Sequence, residues 1–179
     1  MQATYAAGPE MAGTGLLIAR LVVGLLMASH GSQKLLGWFR GHGLQKTGDM
    51  FDHLGFHPGR LFATTASVTE VLSGLLLALG FLGPVGPALM ISVMIVAALT
   101  VHVGNGLLST SNGVEVPLLY AGSALALALT GPGPYSVDAL LGLTPVWTPR
   151  VDWLVLAIGV VGGVMNLVLR RRPVLARSA

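Results

Sequence analysis

The chain has 179 residues, 53% of them hydrophobic and only 9% charged, with a formal net charge of +3 and a mean hydropathy of +0.77. A water-soluble domain of this length cannot hide so much apolar surface, because a large share of any folded chain stays in contact with its solvent; the bilayer is the solvent that fits. The absence of cysteine excludes disulfides, thiolate nucleophiles, covalent haem attachment and cysteine-ligated iron–sulfur clusters, and nucleic acid is not an expected partner, because several basic residues flank apolar runs as a topology signal.

A membrane-spanning helix needs about 20 mainly apolar residues, within a range of roughly 17 to 25. Five runs meet this, at about 13–36, 61–82, 84–103, 114–130 and 151–169. Residues 1–12 precede the first as an extracytoplasmic segment. The opening "MQATYAAGPEMAGTG" has no Lys or Arg, so it lacks the basic start of a secretory signal, and the first run reads as a retained helix. Within that run Gly24, Ala28 and Gly31 make a small-residue face suited to close packing. Its end, "MASHGSQKLLGWF", places His30, Gln33 and Lys34 three and four residues apart on one face.

Between the first two runs, Leu44, Phe51 and Leu54 recur at helical spacing opposite Lys46, Asp49 and Asp52. This predicts a short amphipathic helix within an interfacial segment, 40–57, beside Trp38 and Phe39 at headgroup level. The second run carries Ser67, Glu70, Ser73 and Gly74 as a polar, small-residue stripe, the third ends near His102, and the fourth opens with Glu115. The loop "GPGPYSVDALLGLTPVWTPR" is rich in Pro and Gly, with Tyr135 and Trp147 as expected interfacial anchors. Residues 141–150 close that loop, the fifth helix follows at 151–170, and 171–179 form a basic tail. Gly159, Gly162 and Gly163 suggest that the fifth helix docks on the others.

With five crossings, one face receives Arg40, Lys46, Arg60 and the tail arginines Arg170, Arg171, Arg172 and Arg177, while the other receives only Arg150. The positive-inside rule then predicts the N-terminus outside and the C-terminus cytoplasmic. The fold class expected is an all-α integral membrane protein, multi-pass in a bacterial cell membrane.

An ionisable group inside a membrane helix costs about 2.5 to 3.5 kcal/mol and needs a partner. At about 1.5 Å per residue, His30, Glu70, His102 and Glu115 fall in one polar layer in the cytoplasmic half. Arg20 lies toward the outer half, yet a long side chain leaning toward Glu70 is one expected pairing; His30 and Lys34 are the alternatives. Plainer readings stand beside these. Lys34 can snorkel to the headgroups, Glu115 can complement its helix dipole, and His102 can be a packing residue at a helix end.

Arg20, "HGSQKLLGWF", "TEVLSGLLLALGFLGPVG", His102 and "NGVEVPLLYAGSALALALTGPGPYSVD", in that order and spacing, resemble the DoxX family of small bacterial membrane proteins over about residues 14–140. The positions that match the family pattern are Arg20, His30, Gly31, Lys34, Glu70, His102 and Glu115. The resemblance implies a four-helix membrane bundle over 13–140, to which the fifth helix is an addition. It also implies membrane redox function, since named members are subunits of thiosulfate:quinone oxidoreductase and others are associated with redox-homeostasis complexes.

Two functions follow as expectations. One is a quinone-linked oxidoreductase subunit in which Glu70, His30 and His102 are catalytic, while Arg20, Gln33, Lys34 and Glu115 bind quinone or a small anion such as thiosulfate. The other is a non-catalytic anchor or stabilising subunit of a respiratory assembly, its polar layer a register device between helices. No intrinsic cofactor is expected. Quinone is the candidate ligand, and haem b held by His30 and His102 is the least favoured alternative. The lipid bilayer and other subunits of a redox complex are the expected partners.

Overall fold

The structure, a computed structural model, describes residues 8–171. Most of the N-terminal segment and the basic tail from Arg172 onward lie outside the described residues. Seven α-helices follow in order: α1 Pro9–Leu36, α2 Gly43–His53, α3 Gly59–Leu79, α4 Val85–Ala97, α5 Glu115–Thr130, α6 Val137–Leu140 and α7 Pro149–Val168. Among the described residues there is no strand. Beyond Ala97, α4 continues as a π turn, Ala98–His102, and a 3₁₀ turn, Val103–Asn105.

Four of these helical stretches are long and apolar enough to cross a bilayer: Pro9–Leu36, Gly59–Leu79, Val85–Asn105 and Pro149–Val168. The chain is thus a multi-pass membrane protein in contact with lipid. The fourth apolar run forms a shorter helix, Glu115–Thr130, of 16 residues. At about 1.5 Å per residue it reaches roughly 24 Å, less than a hydrocarbon core of about 30 Å. Gly131 and Pro132 close it at one end, and the turns at 109–114 precede it at the other.

Helix ends follow from local chemistry. Pro9 opens α1, where its missing N–H costs nothing, and Gly37 ends it with φ 74°. At the end of α3, Gly80 adopts φ 62°. There Phe81 N–H donates to Leu76 O at 2.9 Å and Gly80 N–H to Leu77 O at 3.1 Å, the paired bonds of a Schellman stop.

The tightest crossing joins α1 to α3. A Cβ on Gly24 would lie 2.5 Å from Gly74 O, one on Gly74 2.5 Å from Ala28 N, and one on Gly31 2.6 Å from Ser67 O. Only glycine lets these backbones approach so closely. The addition of α7 uses the same device against α4, where a Cβ on Gly163 would meet Ser92 O at 2.8 Å and one on Gly159 would run into Ala88 O. Gly162 faces only Ser92 Oγ, at 3.6 Å.

Met27, Leu77, Met90, Ile91, Met94 and Leu156 form the main core. The amphipathic helix α2 sits on α3, and its Phe51 joins Phe56 and Ala63 in a second cluster with Leu44 and Leu54 at the edge. The far end of α7 is tied to the loop after α2 by Arg170 Nε donating to Leu54 O at 2.6 Å and Arg171 N–H to Gly55 O at 2.9 Å.

At the opposite end of the bundle lies a polar knot that the sequence pattern does not reveal. Asp138, fully buried, accepts Leu82 N–H at 3.0 Å and Gly83 N–H at 2.7 Å. Beside it, Arg20 donates to Pro132 O and Tyr135 O. Trp147 packs its ring on Gly83 with its indole nitrogen buried. Tyr135 remains half exposed.

Candidate functional site

Glu70 occupies the face of α3 that meets α1 and is 2% exposed. Lys34 Nζ donates to Glu70 Oε1, forming a salt bridge between the two helices. Arg20 is not the partner. The contacts Gly24–Gly74 and Gly31–Ser67 set the register, leaving Glu70 level with the stretch after Met27. Arg20 lies roughly 15 Å along α1 from His30 and is committed to the loop carbonyls at the other end. The second carboxylate oxygen, Glu70 Oε2, is buried and has no hydrogen-bond partner.

A cavity of about 300 Å³ opens at this layer, and His30, Lys34, Glu70, His102, Asn112 and Tyr120 supply its polar lining. Met27, Met94, Ala97, Val116 and Pro117 supply apolar walls. His30 and Tyr120 meet edge to face, with ring centroids 5.7 Å apart at 87°, the arrangement that aromatic quadrupoles favour. Glu70 also lines a second cavity of about 250 Å³, walled by Phe51, Phe56 and Phe62 and reaching Asn166. Glu70 therefore borders two cavities.

The π turn that ends α4 delivers His102 to the first cavity. Single-turn π segments widen the helix and re-aim the residues that follow. His102 Nδ1 lies 2.8 Å from Asn112 O. A carbonyl only accepts, so Nδ1 carries the proton and Nε2 is the nitrogen available to a ligand, an acceptor when the ring is neutral.

Three predicted site residues are held away from this cavity. Gln33 Nε2 donates to Phe39 O at 3.3 Å and lines a different cavity, at the α1–α2 junction. Glu115 accepts Ser109 N–H at 2.7 Å, and its own N–H donates to Leu107 O at 2.8 Å. Its carboxylate closes the loop before α5, because the first turn of that helix points back over a second 3₁₀ turn, Ser109–Ser111. Arg20, as described, belongs to the knot around Asp138. Tyr120 and Asn112 enter without having been singled out from the sequence; Tyr120, a lone phenol in an otherwise apolar run, was the available signal.

Residues 15–103 match the family model described as DoxX. This chain belongs to the DoxX family. The DoxX match contains Arg20, His30, Lys34, Glu70 and His102, and it ends before Glu115 and Tyr120. Helices α5 and α7 thus lie outside the matched DoxX stretch, although α5 supplies one wall of the cavity. No curated protein and no solved structure matches the chain.

Proposed function

We propose that this protein is the quinone-binding membrane subunit of an oxidoreductase or redox-homeostasis complex in the bacterial cell membrane. Five crossings, with the N-terminus outside and the C-terminus cytoplasmic, put its cavity in the cytoplasmic half. The observation that carries the reading is the convergence of His30, Lys34, Glu70, His102 and Tyr120 on one cavity of about 300 Å³ with apolar walls. That size is at the lower end of small-molecule sites, enough for a substituted ring whose tail leaves toward lipid.

A quinone bound there supplies two-electron, two-proton redox chemistry. Met27, Met94 and Pro117 offer flat apolar contact to a ring. His30 and Tyr120 offer hydrogen bonds at its edge, and Tyr120 holds the imidazole of His30 in place. His102 Nε2, with Nδ1 committed to Asn112 O, accepts a proton from a hydroxyl or, once protonated, donates one. Glu70 relays protons through its unpartnered Oε2 while Lys34 holds Oε1. Because the chain has no cysteine and its sequence carries no dinucleotide-binding motif, electrons enter from a partner protein or directly from a substrate.

A second reading, a non-catalytic anchor of a larger assembly, is favoured by the Lys34–Glu70 bridge itself, which joins α1 to α3. The two separate on one experiment. The protein is purified in mild detergent, and its quinone content and visible spectrum are measured with Glu70→Gln and His30→Ala beside the parent. Loss of quinone from folded variants supports the first reading. Folded variants with unchanged quinone content and full support of the native complex overturn it in favour of the anchor. A Soret band lost in His30→Ala overturns it in favour of haem.

A further inference from the structure

A second polar cavity, of about 360 Å³, lies at the α1–α2 junction and is lined by Gln33, Lys34, Arg40, His42, Lys46 and Thr47. No carboxylate lines it. Lys34 is committed to Glu70, so the unspent charge belongs to Arg40 and Lys46, neither of which makes a hydrogen bond or ion pair among the described residues. We propose that this cavity binds the phosphate of an anionic phospholipid headgroup.

The turn that carries the cations is built rather than loose. Phe39 and Arg40 adopt φ 51° and 62°, a left-handed conformation that non-glycine residues seldom take. It is held by Gly41 N–H donating to Trp38 O at 2.8 Å and by Gln33 Nε2 donating to Phe39 O at 3.3 Å. Gly41 has no room for a side chain, since a Cβ would lie 2.6 Å from Gln33 Cα. The turn thus presents Arg40 at the end of a membrane helix, opposite Lys46 on α2.

The surroundings point to a lipid as the source of the phosphate. Trp38 and Phe39, adjacent to Arg40, are 59% and 63% exposed, and Leu36 is also exposed. An exposed Trp at the end of an apolar helix sits at headgroup depth, so a phosphate in the cavity leaves its acyl chains beside these apolar side chains. Basic pockets at such depth bind anionic headgroups, each cation near the surface contributing roughly fivefold in affinity. This site does not depend on the quinone reading, which concerns a different cavity.

Native mass spectrometry of the full chain released from detergent tests it, with phosphatidylglycerol and phosphatidylcholine offered at equal concentration and inorganic phosphate as competitor. The variant is Arg40→Asn with Lys46→Gln; Asn tolerates the left-handed turn, and helical content by circular dichroism checks its fold. The expected result is preferential retention of phosphatidylglycerol, falling roughly 25-fold in the variant and insensitive to millimolar phosphate. Equal retention of the two lipids, or a preference unchanged in the variant, overturns the proposal. Displacement by inorganic phosphate also overturns it, assigning the cavity to a soluble anion instead.

Discussion

Lys34 and Glu70 form an ion pair across the α1–α3 crossing, one partner a third exposed and the other only 3% exposed at its side chain. The asymmetry decides what each substitution does. Removing the lysine strands a carboxylate in an apolar interior; removing the charge on the glutamate leaves an ammonium that can turn toward water. Fully buried pairs lose about 3 to 5 kcal/mol when broken and exposed ones at most about 1, so an intermediate value applies here. Lys34→Met should cost about 2 kcal/mol and Glu70→Gln about 1 kcal/mol. The double variant should lose clearly less than their sum, as read from unfolding in detergent. Additivity within about 0.3 kcal/mol would show that the two residues are not coupled.

The π turn makes a second prediction, about aim rather than stability. Inserting one alanine between Val96 and Ala97, ahead of the π segment Ala98–His102, should carry His102 by about 100° around the helix axis, because that turn already holds its extra residue. His102 then loses both the cavity and Asn112 O. Helical content should be unchanged, while retention of quinone by the purified protein should drop to the level of a His102→Ala variant. Undiminished retention in the insertion variant would mean that His102 does not touch the ligand.

Much of the helical scaffold was legible because hydropathy reports length directly. The runs expected at 13–36, 61–82, 84–103 and 151–169 coincide with long apolar helices, and the spacing of Leu44, Phe51 and Leu54 marked α2. Small residues on α1 also announced the crossing, because only a missing Cβ permits it. Facing was harder to read. In lipid nearly every side of a helix is apolar, so periodicity does not say which side meets a neighbour, and Glu70's partner stayed open until the register of α1 on α3 was known. Asn112 and Tyr120 reach the cavity from a loop and a short helix that periodicity does not orient. Asp138 was invisible because it lies in a four-residue helix inside a Pro- and Gly-rich loop, with no periodicity to flag it.

The glycine crossing gives a contrast between two substitutions of one kind. Gly74→Ala puts a methyl 2.5 Å from Ala28 N, against backbone that cannot swing away, whereas Gly122→Ala meets nothing within 4 Å. Overpacking of this sort costs about 1 to 3 kcal/mol. An open helical glycine replaced by alanine gains up to about 1 kcal/mol. Thermal unfolding in detergent should therefore shift in opposite directions for the two variants. A fall of equal size in both would place the α1–α3 contact elsewhere.

Asp138 gives the largest predicted loss. Its carboxylate accepts two backbone N–H groups from the turn between α3 and α4, and its charge acts on the Arg20 guanidinium. Hydrogen bonds to a charged group contribute about 1.5 to 3 kcal/mol each, and stranded donors add their own desolvation cost. Asp138→Ala leaves both N–H groups and a buried cation uncompensated, and should destabilise the protein by about 4 kcal/mol. Asp138→Asn keeps one acceptor oxygen but loses the charge, so it should fall between that variant and the parent. Since the knot lies at the opposite end of the bundle from His30 and Glu70, whatever fraction stays folded should keep its quinone content per folded molecule. Asparagine close to the parent would show that neither the charge nor the second backbone hydrogen bond carries the stability; asparagine as damaging as alanine would show that one acceptor oxygen does not hold the turn.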